Sequence, residues 1–127
     1  MMSRLAIAGA ALLMAAAVAL GAFAAHALKS RVTPDALGLW QTAVNYHAWH
    51  ALGLLAVGML MTQFPKTRRL EATAWLFVAG IALFCGSLYA LAVGAPRVVG
   101  IATPFGGAAF IAGWLLLAWT ALGALRE

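Results

Sequence analysis

The sequence predicts an all-α, polytopic membrane protein, a bundle of four transmembrane helices with both termini in the cytoplasm. Three observations predict it. Of the 127 residues, 65% are hydrophobic and 9% are charged, against roughly 45–50% and about 25% in soluble domains. A soluble domain this small leaves much of its surface exposed, so it has nowhere to hide that much apolar area. The apolar residues fall into four runs, each of the roughly 20 residues needed to cross a bilayer core. The eight cations, Arg4, Lys29, Arg31, Lys66, Arg68, Arg69, Arg97 and Arg126, stand at the ends of those runs and form no long basic block. A soluble enzyme domain, a disordered chain and a nucleic-acid binder are excluded on these grounds, even though the net charge is +5.

The first helix is expected over residues 5–28. Its start resembles a secretory signal, with Arg4 before an apolar run and Ala22-Phe23-Ala24 as a small-x-small site. The run continues past signal length, so the segment is expected to be retained. The second helix is expected over 35–62. Thr33-Pro34-Asp35 supplies a cap, a proline at the first helical position and an acid at the positive end of the dipole. Ala36, Leu37, Trp40, Ala43 and Val44 recur at helical spacing from there. One long helix and a helix kinked near Asn45 both remain open. Gln63-Phe64-Pro65 ends it, and Lys66-Thr67-Arg68-Arg69 follows as the most basic stretch. The third helix is expected over 72–93. A loop with Pro96 and Arg97 comes next. Thr103-Pro104 repeats the capping signal before a fourth helix over 104–125.

These four helices form a single domain spanning 1–127. Counting cations in the short loops gives five on the side of the termini and three on the other, which places both termini in the cytoplasm. Trp40, Trp75 and Trp119 fall near helix ends, as an aromatic belt requires. The single cysteine, Cys85, lies in an apolar run and permits no internal disulfide; it reads as a core residue.

Helices in lipid associate through close backbone approach and hydrogen bonds. Ala17-Gly21-Ala25 and Ala82-Gly86-Ala90-Gly94 are small-residue stripes at spacing four and are expected to line helix contacts. Gly106, Gly107 and Gly113 are read as packing glycines of the fourth helix. The polar side chains gather in the non-cytoplasmic half. His26, Gln41, Asn45, Tyr46, His50, Ser87, Tyr89 and Thr103 make up a candidate polar pocket. His47 shares a helix face with His50 at i, i+3. Structural hydrogen bonding, ligand or proton handling, and metal or haem binding all remain open for the histidines. No HExxH or similar spacing is present, and neither a cofactor nor a metal is assigned. Trp49 and Trp114 read as bulk packing.

Gly21-Ala-Phe23-Ala-Ala-His26, Trp40-Gln41-Thr42-Ala43-Val44-Asn45-Tyr46, His50-Ala-Leu, Gly86-Ser87-Leu88-Tyr89, Thr103-Pro104-Phe105-Gly106-Gly107 and Gly113-Trp114 stand in order along the chain. Together they resemble the domain of unknown function 423 family, small bacterial inner-membrane proteins related to transmembrane protein 256. The resemblance implies a multi-pass inner-membrane protein with no established activity and no catalytic residue to carry over. This chain departs from the family pattern at Ala24, where glycine is typical, and at Asn45 and His47, where glutamine is frequent. His26 and His50 match it.

The leading expectation is a non-enzymatic scaffold, accessory subunit or small homo-oligomer, because Asp35, Glu71 and Glu127 are too scattered for paired-carboxylate chemistry. Its partners would be the lipid bilayer and either further copies or another membrane protein, and not nucleic acid. A ligand-binding or transport protein using the polar pocket is the alternative. A redox subunit with haem between His26 and His50 is a third.

Overall fold

A computed structural model of the chain describes residues 1–123. It is all-helical. Helix α1 covers Met2–His26 and is followed by a 3-10 turn at Leu28–Ser30. Helix α2 covers Pro34–Gln63. Helix α3 (Arg68–Gly80), a π turn (Ile81–Cys85) and helix α4 (Gly86–Ala92) form one continuous third rod. A 3-10 turn at Arg97–Ile101 leads into α5, Ala102–Gly123. The expected end of the fourth helix at 125, and Arg126 and Glu127, lie outside the described residues.

Three segments are long and apolar enough to cross a membrane: Met2–Ser30, Arg68–Ala92 and Arg97–Gly123. Helix α2 is the longest and carries the polar residues of the chain's middle. It is also the axis of the fold. Ten of its residues are buried, against four in α1 and four in α5. Its two histidines, His47 and His50, are turned toward protein, and the outer helices present Leu12, Ile111, Leu115 and other large apolar side chains outward. Contiguous exposed apolar surface of this kind is what a lipid-facing protein presents.

The local signals act largely where the residues dictate. Thr33 caps α2, its hydroxyl accepting from the Ala36 amide at 3.2 Å. The helix then runs unbroken past Asn45, so the expected alternative of a kink there is not realised. The third rod ends on Gly94, whose φ of 99° closes a left-handed cap. The Ala95 amide reaches back to the Ala90 carbonyl at 3.0 Å, the six-to-one bond of that motif. Thr103-Pro104 does not act as the cap of α5. The 3-10 turn starts the helix at Ala102, and Pro104 is tolerated in the first turn, where its missing N–H has no helical partner to lose.

Antiparallel neighbours are set by small residues. In α1 the buried face is Ala6, Ala10, Ala17 and Ala24, with Gly21 against Val44. Ala25 of the expected stripe is exposed. At the far end Gly58 of α2 meets Ile7, where an added Cβ would lie 3.1 Å from the Ile7 backbone nitrogen. The expected stripe in the third rod is overturned: Ala82, Gly86 and Gly94 are exposed, Ala90 is half-buried, and Gly86 has nothing near it. The buried set is Ile81, Cys85, Leu88 and Ala92 instead. Each stands one or two places before the expected residue, and about 100° per residue turns the small stripe outward.

Helix α5 meets the third rod through aromatic rings seated on glycines. Phe110 covers Gly80, the Phe77 ring covers Gly113, and the Phe84 backbone lies against Gly106. Gly107 touches the Phe84 ring more loosely. The π turn contains Phe84 and sits at this crossing.

Gly106→Ala would drive a methyl into the Phe84 backbone and is expected to cost roughly 1–3 kcal/mol. Gly86→Ala fills open space and is expected to be neutral or stabilising by up to about 1 kcal/mol. Unfolding of both variants in detergent micelles checks the contrast; equal effects contradict this packing.

Candidate functional site

Among the described residues, four side-chain hydrogen bonds pass between rods. Three lie in the half that the α1–α2 and α4–α5 connections close, and the fourth, between His50 and Trp114, lies at mid-depth. The Trp40 indole of α2 donates to the Leu20 carbonyl of α1 at 3.0 Å. His47 Nδ1 of α2 pairs with the Tyr89 hydroxyl of α4 at 3.0 Å. Ser87 of α4 pairs with Thr103 of α5. The Trp114 indole of α5 donates to His50 Nε2 of α2 at 3.0 Å. The last three close a circuit through α2, α4 and α5, and the first fastens α1 to it.

Proton positions follow from the partners. His50 Nδ1 lies 2.7 Å from the Tyr46 carbonyl, which only accepts, so Nδ1 carries the hydrogen. Nε2 receives the Trp114 N–H and must offer its lone pair. His50 is therefore the neutral Nδ1–H tautomer. Its ring lies parallel to Phe110, with centroids 3.5 Å apart and an interplanar angle of 14°. Ser87 donates to the Phe84 carbonyl at 2.9 Å, so Thr103 donates to Ser87. That carbonyl belongs to the π turn. His47 is 5% exposed, and its Nε2 is buried without a partner.

The candidate pocket divides accordingly. His50, Ser87, Tyr89 and Thr103 are drawn into the circuit, with Tyr46 contributing its carbonyl and packing its ring on Phe84 at 4.6 Å. His26, Gln41 and Asn45 are not drawn in and are exposed. Gln41 and Asn45 line a cleft of about 280 Å³ beside Gly21, Ala24 and Val44, on the outer side of the α1–α2 pair. A helix-wheel shift accounts for the split: Gln41 and Asn45 fall between the buried positions Trp40, Ala43 and His47.

Three residues outside the expected pocket take part in the inter-rod bonds. His47 was left out of the candidate pocket, yet it is buried and paired. Trp114 was read as packing, yet its indole holds His50. Trp40 was placed in an aromatic belt, yet it is 6% exposed and sits edge-on to Tyr89 at 4.7 Å. Trp75 and Trp119 do face outward, and Arg69 lies 4.2 Å over the Trp119 ring. The available signal was chemical: a buried indole N–H requires an acceptor, and mid-helix histidines offer one.

The haem and metal readings meet a geometric obstacle. Both His50 nitrogens are occupied and His26 is exposed. Among the described residues no three His, Cys, Asp or Glu side chains are grouped to hold an ion.

A family model described as "Protein of unknown function (DUF423)" matches residues 20–107. The chain belongs to the DUF423 family. Its relatives include the UPF0382 membrane protein YwdK of Bacillus subtilis, 44% identical over 101 residues, which are 80% of this chain and 82% of that one. A UPF0382 membrane protein of Haemophilus influenzae is 44% identical over 102 residues, covering 80% and 81% of the two chains. The UPF0382 inner membrane protein YgdD of Escherichia coli is 38% identical over 109 residues, covering 86% and 80%. No solved structure matches the chain. The DUF423 match contains every partner of the four inter-rod bonds except Trp114. Neither the family description nor these names assigns an activity, so this is a member of an uncharacterised family of membrane proteins.

Nitrogen NMR of the labelled protein in bilayers is expected to show His50 protonated at Nδ1 and free of a proton at Nε2; the opposite tautomer contradicts the circuit. Trp114→Phe keeps the ring and removes the donor. It leaves the buried His50 Nε2 unmatched and is expected to cost roughly 1–3 kcal/mol in reversible unfolding.

Proposed function

We propose that this chain is a non-enzymatic bacterial inner-membrane protein of four spans with both termini in the cytoplasm. It acts as a scaffold, an accessory subunit or a small homo-oligomer. One observation supports the non-enzymatic reading: both ring nitrogens of His50 are occupied, Nδ1 by the Tyr46 carbonyl of its own helix and Nε2 by the Trp114 indole of α5. A general acid or base needs a nitrogen facing substrate. Tyr89, Ser87 and Thr103 are likewise joined across helices, so the polar cluster acts as a lock.

The fourth span is α2. Its 30 residues extend about 45 Å, more than the ~30 Å hydrocarbon core. It touches α1 at both ends, Trp40 at Leu20 and Gly58 at Ile7, and so runs the whole depth of its neighbour. Its outer face presents Trp49, Leu52 and Met59 to lipid, while the two histidines are buried against the other rods. The orientation rests on cations. Among the described residues Arg4, Lys66, Arg68 and Arg69 stand at one end, against Lys29, Arg31 and Arg97 at the other. The basic run at 66–69 sits in a short loop, where the positive-inside rule acts most directly. The naming of the Escherichia coli relative as an inner membrane protein supports the location.

Single cysteines at Lys66 and at Arg97, each in a Cys85→Ala background, test the topology in intact cells. A membrane-impermeant thiol reagent is expected to label the cysteine at 97 and spare the one at 66; the reverse pattern contradicts the orientation. Reproducible turnover of a small molecule that disappears in His50→Ala would overturn the non-enzymatic reading.

A further inference from the structure

Helix α1 packs along α2 and leaves a gap toward α3. The gap is a groove of about 420 Å³, walled by Leu5, Gly9 and Leu12 on one side and Trp75 and Val78 on the other, with Leu54 as its floor. It opens sideways, toward the acyl chains in a membrane-spanning protein. At Met2 the groove runs into a second cavity of about 230 Å³, a cup at the end of the bundle. The cup has a different chemistry. Ser3, Thr67 and Glu71 line it, and Met2 borders both cavities. Arg4 adjoins Ser3 in the chain, Lys66 and Arg68 flank Thr67, and all three cations are exposed.

We infer that groove and cup together hold one membrane phospholipid with an amine headgroup. The inference rests on the membrane-spanning reading above. An acyl chain suits the groove, because its walls are apolar and it faces the hydrocarbon region. The Glu71 carboxylate in the cup's wall is the partner for an ammonium, and Arg4, Lys66 and Arg68, next in sequence to the lining residues Ser3 and Thr67, are the partners we assign to the phosphate. A headgroup with phosphate alone would leave the carboxylate facing an anion. Phosphatidylethanolamine meets both demands, and phosphatidylglycerol meets one. An acyl chain in the groove would also supply α1 with the contact it lacks on its α3 side.

The test uses the full chain, purified from membranes and equilibrated with equal amounts of phosphatidylethanolamine and phosphatidylglycerol of matched acyl chains. Native mass spectrometry then counts retained lipid. Wild type is expected to retain one phosphatidylethanolamine, favoured over phosphatidylglycerol by roughly fivefold, as expected for one partly exposed charge contact. Glu71→Gln is expected to keep a lipid and lose the preference. Gly9→Leu fills the groove where nothing lies within 4 Å of the glycine, and is expected to lose both lipids. Val78→Trp blocks the opposite wall and serves if Gly9→Leu loses its helical circular dichroism. Equal retention of the two lipids by wild type, or undiminished retention in a folded groove-filling variant, overturns the site and leaves the membrane reading standing. Release of the chain from membranes by alkaline carbonate overturns the membrane reading itself.

Discussion

A polar group in the hydrocarbon core has no water to return to, so it must find its partner within the protein. That requirement organises this fold from mid-depth to the end that the α1–α2 and α4–α5 connections close. Four bonds, Trp40 to Leu20, His47 to Tyr89, Ser87 to Thr103 and Trp114 to His50, join each rod to the next. Each is individually modest, about 0.6 kcal/mol by the average for such bonds. Their value lies in register. A helix that slides or turns by one residue breaks its bond and leaves a donor or acceptor unmatched in a low dielectric, which is the larger cost.

The other half is organised by shape. There the polar side chains bond their own helices, as Thr73 does to Arg69 and Thr120 to Leu116, and contribute little to partner choice. Glycines supply the specificity. Gly58 admits the α1 backbone, and Gly80, Gly106 and Gly113 admit Phe110, Phe84 and Phe77. Where this aromatic–glycine seam crosses the polar circuit, the third rod makes its π turn, and the Ser87 hydroxyl covers a carbonyl inside it. Both devices meet at Phe110, which fills Gly80 with one edge and stacks on His50 with its face.

The helices and the capping at Thr33 were legible because they depend on hydrophobic run length and local chemistry. The faces were less so. Helix α1 is so rich in alanine that several small stripes can be drawn along it. The true one is chosen by Gly58, His47 and Trp40 on its neighbour, which the α1 sequence does not contain. The third rod misled for a related reason: Ala82 and Gly86 are exposed and Ala90 is half-buried, while Cys85 and Leu88 do the packing. Of the expected pocket, His50, Ser87, Tyr89 and Thr103 are joined across rods, and a histidine at 50 and an indole at 114 are paired by the fold alone. Gln41 and Asn45 carry the same chemistry as their neighbours and miss the circuit by their place on the helix.

The most direct test of this account removes all four inter-rod donors and acceptors while preserving ring and methyl shape, in Trp40→Phe, Tyr89→Phe, Thr103→Val, Trp114→Phe combined. Spin labels placed at the exposed positions Gln41 and Phe105 and, separately, at Leu12 and Trp75 report the spacing of rods in the two halves by electron resonance in bilayers. The account predicts a broadened distance distribution for the first pair and an unchanged one for the second. Sharp, wild-type distances in both halves would show that the hydrogen-bonded circuit does not hold the rods in place.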